Sequence, residues 1–333
     1  MHKEMVINKL PTAFCHASTL VELNNGELLC CWFGGTHEGN ADVAIYISRR
    51  GIDGLWSVPQ KLADGAEANW NPVLFRAANN KLALFYKEGQ QIASWRTFIM
   101  ESKDDGKSWS KPRELVDGDT SGGRGPVRNK LLRLSGGRIL AGASTEHGLW
   151  KAYADRSDDE GLTWSLSNPI TIADLKYQAG EKTAESSIAV SQQSFYGRGV
   201  IQPSLWESAD GSVHMLLRSS EGYIYSSDSF DGGITWCNAY PTELVNNNSG
   251  LDLTRGSDDC LYLVCNPVAA NWGLRSPLSV FKSCDDGESW SKLCDLETEE
   301  GEFSYPAVVS GKSKLYISYT YNRRNIALAE IEL

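Results

Sequence analysis

Six points along the chain carry side chains able to do chemistry, and they recur at one place in a repeating unit. The starts of a strand–turn–strand pattern fall at His16, Asn71, Arg128 or Lys130, Gln202, Ser249 and Tyr305. The ends of the paired strands add the loop from Thr36 to Asp42, then Lys87, Ser144 to Glu146, Arg218, Asn266 and Tyr321. So many Arg, Lys, Tyr, Gln and Glu at equivalent points of dissimilar segments exceed what a solvated rim requires. A phenol has an ordinary pKa of about 10, so Tyr305 becomes a nucleophile or proton carrier at neutral pH only beside a base or positive charge. Arg218 and Lys130 can supply charge, and Glu146, which closes the third unit's second strand, can accept the phenolic proton. Trp95 and Trp150 offer flat apolar faces on which a ring can stack.

The elements that must position these groups are strands. The six copies are HASTLVELNNGELLCCWFGG, NPVLFRAANNKLALFYKEG, RNKLLRLSGGRILAGASTE, QPSLWESADGSVHMLLRSSEG, NSGLDLTRGSDDCLYLVCNP and YPAVVSGKSKLYISYTYN. Each reads as a strand, a turn with Gly, Asn or Asp, and a second strand. A second pattern, S-x-D-x-G-x-[ST]-W, runs out of phase with the first at Ser102–Trp109, Ser157–Trp164, Ser229–Trp236 and Ser283–Trp290, with a degenerate copy over Ser48–Trp56. A period near fifty residues means stacked supersecondary units. Asp and Gly are the residues a tight hairpin needs.

One copy of each pattern makes four strands. The chain is therefore predicted to be all-β: a six-bladed β-propeller with four-stranded antiparallel blades, forming a single domain over residues 1–333. The last copy ends at the C-terminus, so its blade should borrow a strand from residues near Val6. Extra length between the third and fourth hairpins, Asp174–Gly199 with KYQAGEKTAESS inside it, predicts an inserted loop over the site.

Composition narrows the function. The 333 residues hold 32 Lys+Arg against 42 Asp+Glu, a net charge of −10. An acidic chain without basic runs is a poor nucleic-acid binder. Apolar runs such as LLCCWF are too short to cross a bilayer, so no membrane partner is expected. MHKEMVINKLPTAFC has no apolar signal-peptide core, which predicts a cytoplasmic protein. None of the eight cysteines forms a CxxC pair; buried reduced thiols are the expectation, with no metal site and no cofactor.

The S-x-D-x-G-x-T-W repeat resembles the Asp-box, or BNR repeat, and the whole chain is similar to the sialidase (neuraminidase) superfamily. The resemblance implies an exo-glycosidase acting on an acidic sugar (sialic acid or a related keto-acid or uronic acid), with a tyrosine nucleophile and arginines gripping the sugar carboxylate through bidentate forks. QPSLWESADGSVHMLLR looks like the stretch ending in the second arginine, Arg218; NPVAANWGLRSPLSVF like that holding the third, Arg275; and EFSYPAVV like that holding the nucleophile, Tyr305. Lys130, Lys87, Asn71, Ser249 and Gln202 complete the expected substrate-binding set.

The chain departs from the family pattern at three points. His16 stands where the first arginine belongs, and Gln202 replaces the catalytic glutamate that relays the tyrosine proton. The acid/base aspartate has no clean match in FGGTHEGNAD, where Glu38 is the choice over His37 and Asp42. Two other readings stay open: a lyase on a uronic acid, with His16 or Tyr305 removing the proton alpha to the carboxylate, and a non-catalytic glycan-binding propeller.

Overall fold

The computed structural model describes residues 1–176 and 197–333. Most of the predicted inserted loop, including all but the first residue of KYQAGEKTAESS, lies outside the described residues. Among the described residues the fold is all-β, with a single 3₁₀ turn at Ile92–Ser94. None of their helices is long and apolar enough to cross a membrane.

A short strand, β1 (His2–Met5), comes first. Four strands then form a sheet: β2 (Phe14–Glu22), β3 (Leu28–Gly35), β4 (Ala44–Arg50) and β5 (Gln60–Ala63). The second sheet is β6 (Asn69–Arg76), β7 (Leu82–Glu88), β8 (Arg96–Ser102) and β9 (Arg113–Glu114). The third unit comprises β10 (Leu132–Arg133), β11 (Ile139–Thr145), β12 (Leu149–Ser157) and β13 (Ser165–Leu166). The fourth unit comprises β14 (Arg198–Glu207), β15 (Val213–Ser219), β16 (Tyr223–Ser229) and β17 (Tyr240–Val245). A two-residue parallel contact, Leu149 and Trp150 of β12 with Arg198 and Gly199 of β14, joins these two units into one eight-stranded sheet. Next come β18 (Asp252–Arg255), β19 (Leu261–Cys265), β20 (Leu278–Ser283) and β21 (Ser291–Glu297), and finally β22 (Phe303–Ser310), β23 (Lys314–Tyr321) and β24 (Asn325–Glu332). The last sheet takes its fourth strand from β1, which pairs antiparallel with β24 from His2↔Glu330 to Met5↔Ala327, as the missing last strand required.

Middle strands such as LLCCWFGG and LALFYKE are apolar runs because both faces are covered; every residue of β3 and β7 is buried. Apolar clusters knit consecutive units pairwise. Leu74 and Tyr86 of the second sheet pack with Phe33 and Ile45 of the first. Val73 and Phe85 pack with Ile139 and Trp164, and Leu140 and Ala154 with Met215 and Leu217. Trp206 and Ile224 pack with Leu253 and Leu261, and Tyr262 and Val280 with Ile317 and Tyr319. The series returns to its start: Ile326 and Leu328 of the last sheet pack with Trp32 and Cys30 of the first. Each fully buried side chain of this size contributes about 1.5–3 kcal/mol.

The first strands of four units share a further device. β2, β6, β14 and β22 each slip register against their partner at one place, and the residue there has positive φ: Ala17 (49°), Asn71 (44°), Gln202 (55°) and Tyr305 (53°). A bulge of this kind bends the strand and re-aims a side chain.

The four Asp-boxes are built alike. In the first, Ser102 Oγ accepts from Gly106 N at 2.8 Å, Asp104 accepts from Ser108 N at 2.9 Å and Ser108 Oγ at 2.5 Å, and Trp109 Nε1 donates to Gly106 O at 3.2 Å. Asp159, Asp231 and Asp285 repeat the pattern. The residue after this Asp follows a separate rule. Where it is acidic, it meets an arginine that ends its own unit's first strand: Asp105 with Arg76 at 3.5 Å, Glu160 with Arg133 at 2.6 Å, and Asp286 with Arg255 at 2.5 Å. In the fourth unit it is Gly232, and that strand ends in Glu207, which instead takes Ser135 N and Oγ of the neighbouring unit. The degenerate copy makes no such box; Trp56 Nε1 donates to Glu4.

The expectation of buried reduced thiols is corrected at four positions: Cys237 is exposed, Cys294 is half-buried, and two further cysteines are bonded to each other. Cys260 and Cys284 form a disulfide between the β18–β19 turn and the fourth Asp-box. They meet because Leu261 and Ser283, their ladder neighbours, are directly paired. Cys15, Cys30, Cys31 and Cys265 are buried thiols.

Hydroxyl and amide donors hold Asp104, Asp159 and Asp285 at about 2. At Asp231 burial pushes the other way, and the same donors outweigh it to bring that carboxyl to about 2 as well. Their folded values lie below the unfolded one, so their contribution is present above about pH 4 and is lost as pH falls toward 2. The melting temperature should therefore drop steeply across that window. Asp104→Asn should lower it at pH 7 and make the acid drop shallower; an unchanged acid slope in the variant would refute the role.

Candidate active site

The bulged strands and the loops beside them surround a cavity of about 300 Å³. Asn71, Gln202 and Tyr305, three of the four bulge residues, line it. Tyr305 is the centre of its contacts. Arg218, at the end of β15, donates from Nη1 to the Tyr305 hydroxyl at 2.8 Å and to Gln202 Oε1 at 3.2 Å, while its Nε donates to Asn248 Oδ1 at 2.7 Å. Arg275 lies with its guanidinium 5.4 Å from the Tyr305 ring centre and donates to Ser304 Oγ at 3.1 Å. Both arginines are buried. Burial pushes the Tyr305 phenol up, but the Arg218 and Arg275 charges and a hydrogen bond with Gln202 outweigh it, and the net shift is downward.

Arg128 backs this arrangement without lining the cavity. It donates to Leu251 O at 3.0 Å, contacts Pro306 O, and sits 5.0 Å from the Tyr305 ring centre. A Cβ at Gly250 would lie 3.1 Å from Arg128 Nε and 3.3 Å from Tyr305 Cγ, so only glycine fits comfortably between them.

His16 packs against Tyr305 with ring centres 4.3 Å apart, and its Nδ1 is 2.9 Å from Thr320 Oγ1. Burial, then the charges of Arg323, Arg275, Arg128 and Arg218, push its pKa well down, so the ring is neutral. Glu146 enters from the turn after β11, half-buried, with its pKa raised by burial against the opposing pull of Arg218. Glu38 also lines the cavity, but its carboxylate is in contact with Arg323. Asp42 holds the base of that loop by accepting from Thr36 N at 2.9 Å and Thr36 Oγ1 at 3.0 Å.

Arg323 is a charged cavity-lining residue that the repeat did not reveal. It sits in the turn between β23 and β24, where Asn322 and Arg323 both have φ of 52°. Its Nε donates to Glu302 Oε1 at 2.6 Å, and Glu302 lies 3.5 Å from Arg275. A chain of alternating charge therefore runs Arg275–Glu302–Arg323–Glu38. The available signal was the basic pair in YNRRN, which reads as an ordinary polar hairpin turn. Trp70 and Trp272 also line the cavity. Trp70 is 5.3 Å from Trp95 and 5.6 Å from Phe33, ring centre to ring centre, giving one apolar wall. Trp272 lies under Arg218 at 5.2 Å.

Several expected residues are elsewhere. Lys130 Nζ is held by Asp252 at 2.9 Å, and Asp252 also accepts from Ser204 Oγ and Val308 N. Ser249 is buried against Asn247 and Asn266. Lys87 is buried, donating to Thr97 Oγ1 at 2.8 Å and to the Arg124 carbonyl. None of the three lines the cavity. Trp150 is buried edge-on to Trp272, whereas Trp95 does line the cavity. Among the described residues no group of three or more His, Cys, Asp or Glu is placed to hold a metal ion.

The BNR repeat-like domain model matches residues 26–317. No curated protein matches the chain by sequence. Among solved structures, a protein of unknown function from Dyadobacter fermentans is 16% identical with a TM-score of 0.76, covering 99% of this chain and 98% of its own. The Hadza microbial sialidase Hz136 is 16% identical at TM-score 0.74, over 97% of this chain and 66% of its own length. The intramolecular trans-sialidase from Ruminococcus gnavus, solved with oseltamivir carboxylate, is 13% identical at TM-score 0.70, covering 99% and 97%. At these identities the likeness is one of fold.

Burial, foremost, pushes Lys87 down to about 7 from its ordinary 10.5, with Arg124 adding to the shift and Asp155 and Asp119 opposing it. The folded chain then binds fewer protons than the unfolded chain between those values, so this group makes stability rise with pH from about 7 to 10.5. Lys87→Met should flatten that rise in denaturant titrations run at pH 7 and pH 10; an unaltered pH dependence would show that the ammonium is solvated.

Proposed function

Because the chain belongs to the BNR repeat-like family, we propose that it is a sialidase-like exo-glycosidase that cleaves a terminal acidic sugar, with Tyr305 as nucleophile. The fold we propose is a six-bladed propeller forming one domain over residues 1–333. Six apolar clusters, each joining neighbouring units and the last returning to the first, support that architecture.

The observation that carries the function is the 2.8 Å hydrogen bond from Arg218 to the Tyr305 hydroxyl beside a second buried arginine. Arg218 and Arg275 serve two ends at once. They favour the phenolate, and they face a space where a sugar carboxylate can replace part of that pairing. A neutral-to-anionic tyrosine suits an anomeric carbon next to the sugar's own carboxylate, where an acidic nucleophile would repel it. Gln202 cannot take a proton; it holds Arg218 and Tyr305 in place. The cavity of about 300 Å³ is sized for one sugar residue, which matches removal of a chain end.

One observation favours a second reading. The neutral His16 ring packs on a tyrosine with a lowered pKa, a pair suited to moving a proton alpha to a carboxylate in a uronate lyase. Product mass separates the two, since hydrolysis adds water and elimination does not.

Tyr305→Phe keeps the ring and removes the oxygen. It should abolish turnover of an acidic glycoside while leaving binding measurable by calorimetry. Arg218→Ala should weaken binding of the charged sugar by about 2–5 kcal/mol and change binding of its methyl ester little. A fluorinated acidic sugar should leave a covalent adduct on Tyr305, located by peptide mass. A Phe variant with near-normal rate would end the proposal. Binding without turnover by the unmodified protein would favour a glycan-binding role.

A further inference from the structure

We propose that Glu146, rather than Glu38, gives the proton that the departing group needs. This rests on the reading above, in which the cavity cleaves a glycosidic bond through Tyr305. Two carboxyl groups that are candidates for acid chemistry reach the cavity, and their surroundings are opposite. Glu38 has Arg323 on its carboxylate, and Arg323 is held in place from its other side by Glu302. A guanidinium bound to that carboxylate engages an oxygen that an acid would need to turn toward the departing group. Its loop is also fastened, through Asp42 and Thr36, so Glu38 acts as a latch that positions Arg323.

Glu146 comes from another unit of the fold, on the turn that follows β11. The charged and titratable groups that face it are Arg218 from β15 and Tyr305 from β22. Burial favours its protonated form, whereas at Tyr305 burial and Glu146 are outweighed by the charges of Arg218 and Arg275, which favour the oxygen without its proton. Two neighbouring groups driven apart in this way take the acid and the nucleophile roles respectively. Neutral His16 adds no charge to compete.

In the first half of the reaction, the Tyr305 oxygen forms a bond to the anomeric carbon as the bond from that carbon to the leaving oxygen breaks. The leaving oxygen takes the Glu146 proton, and Glu146 becomes a carboxylate. Water then attacks the anomeric carbon, giving its proton to Glu146, and Tyr305 departs as the phenolate that began the cycle.

The test compares a methyl glycoside with a nitrophenyl glycoside of the same acidic sugar. Nitrophenolate leaves without a proton, so Glu146→Gln should cost at least about 100-fold in kcat/KM on the methyl glycoside and under about 10-fold on the nitrophenyl one. Its pH profile should also lose the basic limb. Glu38→Gln should reduce both substrates by one factor. Equal losses for Glu146→Gln on the two substrates, or a leaving-group dependence confined to Glu38→Gln, would overturn the assignment while leaving the glycosidase reading intact. Failure of the unmodified protein to cleave any acidic glycoside would instead overturn that reading.

Discussion

The cavity depends on a break in regularity shared by four strands. A regular ladder would point successive side chains to alternate faces and leave none directed along the strand into the space between sheets. Ala17, Asn71, Gln202 and Tyr305 escape this by adopting the left-handed region, at a cost of order 1–3 kcal/mol each. Three are followed by proline, Pro72, Pro203 and Pro306, which has no N–H to lose where the pairing is interrupted. At Tyr305 the surrounding structure over-determines the conformation: Arg128 reaches the Pro306 carbonyl, and Gly250 leaves room for both the guanidinium and the phenol ring.

Several arginines sit close to one tyrosine, and their charges must be met inside the fold. The solution differs from one to the next. Arg275 and Arg323 share Glu302, and Arg323 also holds Glu38. Arg128 is met by backbone carbonyls and the face of Tyr305. Arg218 is held by neutral oxygens and lies over Trp272. A buried guanidinium whose first partners are neutral keeps more of its attraction for an incoming anion than one already joined to a carboxylate.

Much of the architecture was legible because it repeats. The strand–turn–strand copies and the Asp-boxes marked the units, and β1 beside β24 followed from a last copy lacking its fourth strand. Asn71, Gln202 and Tyr305 were legible for the same reason, being equivalent points in their copies. The third and fifth units were harder. Lys130 and Ser249 lie ahead of β10 and β18 rather than within them, so strand spacing did not fix where they point, and the structure turns them to Asp252 and to the asparagines. Lys87 ends in the seam toward Arg124, a contact between units that no local pattern records. Arg323 lies in a turn whose basic residues look like solvated polarity, and Cys260 meets Cys284 only because two strands run opposite one another.

The pairing of β1 with β24 also bears on how the chain reaches its native state. His2–Met5 is synthesised long before its partner, Asn325–Glu332. The seam between the first and last units, where Ile326 and Leu328 meet Cys30 and Trp32, waits equally long. Neighbouring units can associate as they emerge, but this one contact spans nearly the whole sequence and carries the largest loop-closure entropy of any in the molecule. Until it forms, β24 lies at an unfinished edge and the apolar faces of the first and last sheets are open to other chains. Closure of this seam is thus a late event, and two strands remote in sequence from the chemistry together govern whether the first and last units are joined.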